Sequence, residues 1–345
     1  MKKHTHKIII NNSERIEKSF CYNFGKTKDV CISVGYGTVV ISAELSKIYD
    51  KAEIISFDGY LFGDALKKAL LLHLILFSRD ISLDEVYVQI DNETECVFTK
   101  SANAHPLVSS LVAEDLSHPF TTIWDVSACQ GILAQTKSSY DARIASLFAL
   151  IYSKTKIYES ERFIYLWMAF NGMYNYYSTL ISQSHNGIKI KRECNQIRYM
   201  QRLFNLGDET ISEDTEKRRV AQEVTSFLKN APTQISKTYL ESERGKEIAQ
   251  RIQKALVNPK TLRAYNITPY GYLLTQYSYN TRCNLFHANK PISLFSFSND
   301  PDIQCLKIIN YILEEFIETN LPLWFSSQYE TEFLWSFAKQ TEIIR

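Results

Sequence analysis

The chain has 345 residues, 45% of them hydrophobic and 22% charged, with a formal net charge of +1 at pH 7. This is ordinary globular composition, enough for a large core and for two domains. It excludes the strongly basic whole-molecule field of many nucleic-acid binders, although a local basic patch is hidden in such a sum.

The opening "MKKHTHKIIINNSERIEKSF" starts basic but offers only Ile8 to Ile10 as an apolar run. A secretory leader needs about 7–15 apolar residues, so none is expected. His4 and His6 are expected in a mobile start rather than as metal ligands. "HKIII" and "DVCISVGYGTVVISAEL" are rich in Val, Ile and Tyr and are broken by glycine, which predicts strands and turns. "FGDALKKALLLHLILFSRD" predicts a helix: Asp64 precedes the apolar run, and Leu66, Leu70, His73 and Phe77 follow at helical spacing. His73 is expected as a packed core histidine. The stretch "ALLLHLILF" (69–77) is the longest apolar run, well short of the ~20 residues that span a bilayer. The expectation is a soluble, cytoplasmic protein without a membrane partner. "DEVYVQIDNETECVF" returns to alternation, with Val86, Val88 and Ile90 on one face. Residues 1–137 therefore read as an α+β module, a sensor or regulatory domain. The seven cysteines (Cys21, Cys31, Cys96, Cys129, Cys194, Cys283, Cys305) are odd in number and form no C-x-x-C pair. Reduced thiols are expected, not a disulfide framework or a zinc knuckle.

Beyond Ser138 the pattern turns helical almost throughout, so 138–345 reads as an all-α bundle. "SSYDARIASLFALIYSK" carries Ile144, Leu147, Leu150 and Ile151, and "ESERFIYLWMAFNGMYNYYSTL" spaces Phe163, Trp167, Phe170, Tyr174 and Tyr177 three or four apart. In the polar middle, roughly 183–265, Ser212 and Ser242 are candidate helix caps. "IQCLKIINYILEEFIETN" sets Cys305, Ile309, Ile312 and Phe316 on one side and Lys307, Asn310, Glu314 and Glu318 on the other.

The chemistry-bearing stretch is "YSYNTRCNLFHANKP" (277–291), with Arg282, Asn284 and His287 among aromatic and aliphatic neighbours. Spacing alone is weak evidence, because fourteen arginines and seven histidines give roughly 0.3 chance occurrences of Arg-x4-His. Residues five apart on a helix also diverge by about 140° and ~7.5 Å. Arg282 and His287 converge only if the helix ends between them or if two copies meet across a two-fold axis. A histidine moves protons near neutral pH, and a guanidinium binds phosphate and stabilises its growing charge. The bland alternative is a satisfied histidine near a helix end, with Arg282 paired to a carboxylate.

Two segments resemble the HEPN family, more narrowly its ApeA-like branch. "RFIYLWMAFNGMYNYY" (162–177) is similar to that branch's first long helix, with its Trp-x-x-Phe-Asn-x-x-Tyr run. "YNTRCNLFHANKP" (279–291) is similar to its Arg-x4–6-His helix, matching at Arg282, Asn284, Leu285, Phe286, His287 and Lys290. Ala288 departs from a position where glycine is common, which touches helix termination more than chemistry. The resemblance covers only sequence after about residue 138. It implies a dimerising helical domain that often acts as a metal-independent endoribonuclease in toxin–antitoxin or anti-phage systems. Arg282 and His287 would be catalytic and Asn284 would support them. RNA, tRNA included, would be the substrate, with an antitoxin or phage-derived trigger as partner and no cofactor or metal. Many HEPN domains are non-catalytic, so a dimerisation or RNA-binding module is the alternative.

Asn171 borders the aromatic stripe, either facing the Arg282 helix or bonded to a backbone carbonyl in the core. Lys290 is either a phosphate contact or a helix C-terminal cation. "IKIKRECNQIRYMQR" (188–202) places Lys189, Lys191, Arg192, Arg198 and Arg202 against Glu193 alone. It is either an RNA-tracking patch or a solvated helix face.

Overall fold

A computed structural model describes residues 3–11, 15–23, 29–55, 61–79, 81, 85–99, 116, 118–134, 142–184, 193, 196–197, 207–209, 265–267, 273–286 and 301–326. The chain divides into two compact units, Met1–Ser139 with Pro322–Ser327, and Tyr140–Leu321 with Gln328–Arg345.

The first unit is built on a six-stranded antiparallel sheet in the order β2-β3-β4-β1-β5-β6. The strands are β1 (His4–Ile10), β2 (Lys18–Asn23), β3 (Asp29–Gly35), β4 (Thr38–Leu45), β5 (Glu85–Ile90) and β6 (Glu93–Thr99). Alternation decides which face is inward: Ile8, Ile10, Val30, Ile32, Val34, Val39, Ile41, Val86 and Val88 are all buried. Burying each such side chain contributes about 1.5–3 kcal/mol. A short helix α1 (Lys51–Ile54) precedes α2 (Phe62–Phe77), which packs against β3 and β4. Asp64 lies in the first turn of α2, where the helix dipole favours an acid, and pairs with Lys68 at 3.0 Å. Helix α3 (Val126–Leu133) is capped by Asp125, whose carboxylate accepts from the Ala128 amide at 2.7 Å. Gly131 of α3 lies so close to the Phe325 carbonyl that no side chain fits between them.

Both N-terminal histidines are held, contrary to the expectation of a mobile start. His4 pairs with Asp91 at 2.7 Å, and His6 is fully buried. His6 Nε2 accepts from the Tyr49 amide at 3.3 Å. The cause is β-pairing on both sides of β1, with β4 and with β5.

His73 is the core histidine that its helical spacing predicts, with 1% of its surface exposed. Its Nδ1 donates to the Arg79 carbonyl at 3.1 Å. Its Nε2 accepts from the amide of Gly37 at 3.1 Å. Gly37 has φ +75° at the β3–β4 turn, which only glycine adopts without strain. The imidazole thus fixes the hairpin tip in its neutral form, and burial pushes its pKa down to about 4. The unfolded chain binds this proton near pH 6.5 and the folded one only near pH 4. Stability from this group is therefore complete above about pH 6.5 and lost progressively toward pH 4, by about 3 kcal/mol at most. Urea midpoints measured from pH 7 to pH 4 should fall, and His73→Gln should remove this part of the slope.

The cysteine expectation is corrected at one pair. Cys21 and Cys31 face each other across β2 and β3, Cα atoms 4.2 Å apart, and form a disulfide. Directly opposed residues in a closely spaced antiparallel pair have the reach to bond, which sequence spacing does not reveal.

The second unit contains α4 (Ala142–Thr155), α5 (Glu159–Ser184), a π-helical turn at Leu273–Tyr277, α6 (Ser278–Phe286) and α7 (Pro301–Phe325), whose last residues belong to the first unit. Gly172 of α5 lets the α4 backbone approach, since any side chain there would overlap the Ser146 hydroxyl. The all-helical expectation is corrected by a two-stranded antiparallel pair, β7 (Gly207–Glu209) with β8 (Tyr265–Ile267). Two extended segments separated by some 55 residues carry no local signal of pairing. The caps expected at Ser212 and Ser242 lie outside the described residues.

The polar side of α7 is not a solvated face. Asn310, Glu314 and Glu318 are buried together with Lys154 of α4 and Arg162 of α5. Lys154 Nζ donates to Glu314 at 2.6 Å and to Glu318, and Arg162 pairs with Glu314 and, at 3.5 Å, with Glu159. Asn310 donates to the Glu159 carbonyl at 2.8 Å and to its carboxylate at 2.7 Å. Burial pushes the Lys154 ammonium pKa down, against the pull of Glu318. Among the described residues no helix is long and apolar enough to cross a membrane.

Candidate functional site

The aromatic stripe of α5 forms as its spacing predicts, with Phe163, Trp167, Phe170, Tyr174 and Tyr177 at most 2% exposed. It positions α6, because the Trp167 and Tyr279 rings meet at 6.2 Å. The π-helical turn directly before α6 widens the helix, and the Ser278 hydroxyl donates to the Leu273 carbonyl five residues back at 2.7 Å. Such turns inside helices are often found at functional sites. Thr281 then donates to the Tyr277 carbonyl at 2.9 Å.

Arg282 projects from this helix with 27% of its side chain exposed. Its donors are poorly met. Nε is buried and has no hydrogen-bond partner among the described residues. Nη1 lies 4.0 Å from Glu193 and 4.0 Å from the Cys283 sulfur. The guanidinium also lies 5.3 Å from the Phe286 ring centre, a cation–π contact one helical turn on. Glu193 is itself anchored, because the Tyr174 hydroxyl donates to its other oxygen at 2.5 Å. Burial first, and then this carboxylate, push the Tyr174 hydroxyl pKa up, so it stays a donor. Tyr279 is pushed up to about 12 by burial and by Cys283 beside it. The result is a cation beside an anchored acid, at a partly exposed edge of an aromatic core.

Of the residues singled out in the sequence, Asn284 is exposed on α6. Asn171 is half-buried, and its side-chain oxygen accepts from Asn175 at 2.7 Å, one turn along α5. His287, Lys290, Lys189, Lys191, Arg192, Arg198 and Arg202 lie outside the described residues. Glu193 and Tyr174 are the additions. The available signal was the lone acid in a basic run, with a tyrosine on the stripe facing it.

A separate groove of about 1080 Å³ lies in the first unit, lined by Ile48, Tyr49, Lys51 and the acids Asp50, Asp91, Glu93 and Glu95. Its acidic excess does not suit a phosphate. Among the described residues no three His, Cys, Asp or Glu side chains gather as a metal site. Compared with known families, curated proteins and solved structures, the chain matches none of them.

Proposed function

We propose that the second unit is a HEPN-type domain of the ApeA-like branch, acting as a metal-independent endoribonuclease in a homodimer. The observation that carries this reading is the under-satisfied guanidinium of Arg282, whose buried Nε lacks a partner among the described residues. A buried donor without an acceptor is costly, and a phosphate oxygen would relieve it. The resemblance of 162–177 and 279–291 to that family supplies the other half of the support.

In this reaction the RNA 2′-oxygen forms a bond to the neighbouring phosphorus while the bond to the 5′-oxygen breaks. One strand then ends in a 2′,3′-cyclic phosphate. Arg282 holds the phosphate and its growing negative charge. His287 moves the proton leaving the 2′-hydroxyl or the one arriving at the 5′-oxygen, and Asn284 supports it. Arg282 and His287 diverge on a straight helix, so two copies of the stretch meet across the dimer axis. Lys189, Lys191, Arg192, Arg198, Arg202 and Lys290 track the RNA backbone. The first unit serves as the sensor or regulatory part, answering an antitoxin or a phage-derived trigger in the cytoplasm.

Purified protein incubated with tRNA and total RNA in EDTA should yield fragments ending in 2′,3′-cyclic phosphate. His287→Ala should lower the rate by roughly 10²–10⁴-fold. Identical intact RNA with wild type and variant, under every activating condition tried, would refute the enzyme. A second reading, a non-catalytic dimerisation or RNA-binding module, is favoured by one observation: Glu193 stands beside Arg282 as a carboxylate partner. It predicts that Arg282→Ala changes assembly or stability and no RNA product.

A further inference from the structure

We infer that Glu193 is a built-in competitor for the RNA phosphate at Arg282, an acid that must be displaced before the site binds its substrate. This rests on the reading of Arg282 as the phosphate-binding group. Three features of the geometry carry it.

The first is distance. Glu193 Oε2 lies 4.0 Å from Arg282 Nη1, beyond hydrogen-bond reach, so charge alone holds the pair. The second is tethering. The other oxygen of Glu193 is held at 2.5 Å by the Tyr174 hydroxyl, and Tyr174 is 1% exposed on α5. The carboxylate is thus fixed to the aromatic core and does not close the gap. The third is unmet demand. Arg282 Nε is buried without a partner among the described residues, so the guanidinium has donors that Glu193 does not serve. A phosphodiester offers two unbridged oxygens to a planar fork of donors, a better match than one distant carboxylate oxygen. The same carboxylate repels an incoming phosphate. Glu193 therefore lowers the affinity of the resting site while keeping the guanidinium's charge compensated.

The test measures binding separately from cleavage. Full-length wild type, Glu193→Gln and Tyr174→Phe are titrated with a fluorescent RNA oligonucleotide carrying 2′-O-methyl groups, which cannot undergo 2′-hydroxyl attack. Glu193→Gln should tighten binding about tenfold, because one unit of like charge near the phosphate is removed. Tyr174→Phe should instead weaken it by about threefold, because the freed carboxylate can close on Arg282, and this opposite shift guards against a folding defect of the first variant. Adding Arg282→Ala to Glu193→Gln should abolish the gain. Unchanged or weaker binding by Glu193→Gln, or tighter binding by Tyr174→Phe, with thermal midpoints held, overturns the inference, since Glu193 would then be positioning Arg282. Unmodified RNA in EDTA separates the two layers. Tighter binding with RNA left intact supports the competitor and removes the ribonuclease. Cleavage without any change in affinity overturns the competitor alone.

Discussion

Lys154→Met is expected to destabilise the second unit by about 3–5 kcal/mol, the cost of breaking a buried ion pair from one side. Lys154 is fully buried and donates to both Glu314 and Glu318. Removing its ammonium takes away a cation bonded to the carboxylate of Glu318, which is 1% exposed. Glu314 keeps Arg162. Chemical denaturation of the full chain would show the effect as a fall in the unfolding free energy of the second unit. The double variant Lys154→Met with Glu318→Leu should be more stable than Lys154→Met alone, because replacing both members of a buried ion pair by apolar groups costs less than removing one. If the second substitution adds its own loss instead, the two side chains are not a coupled pair.

Arg282→Ala is expected to lower single-turnover RNA cleavage in EDTA by about 10²–10³-fold, the scale of removing one donor to transition-state charge. Arg282→Lys should recover only a fraction, since a point charge lacks the planar fork. Stability should change little in either variant, because a part-exposed pair at 4.0 Å is worth about 0–1 kcal/mol. This contrast with Lys154 is what discriminates the two readings of the second unit. A cation serving structure is saturated with partners, as Lys154 is. A cation kept for a ligand is under-saturated, as Arg282 is. If Arg282→Ala lowers the thermal midpoint and leaves the RNA products unchanged, the non-catalytic module is the better account.

Local pattern carried much of the fold. The alternation of Ile8 and Ile10, of Val30, Ile32 and Val34, and of Val86 and Val88 reports which face of each strand is inward, because successive side chains point to opposite sides. The three- and four-residue spacing of Phe163, Trp167, Phe170, Tyr174 and Tyr177 likewise reports the buried side of α5. The candidate site was legible in part. Arg282 and Asn284 stood out by residue type and neighbours, whereas Glu193 appeared only as an interruption in a basic run.

What the sequence determined by itself is whatever depends on neighbours along the chain: strand alternation in the first unit, helical stripes in the second, and the cluster of Arg282, Asn284 and His287. Tertiary structure alone decided whatever depends on residues far apart meeting. The Cys21–Cys31 bond needed the β2–β3 register. The burial of Glu314 and Glu318 needed Lys154, 160 and 164 positions away. Acids are seldom buried unless paired, and here the opposing charge comes from another helix. The same physics sets Glu193 beside Arg282: a carboxylate tied to one helix faces a cation on another, a relation no local pattern encodes.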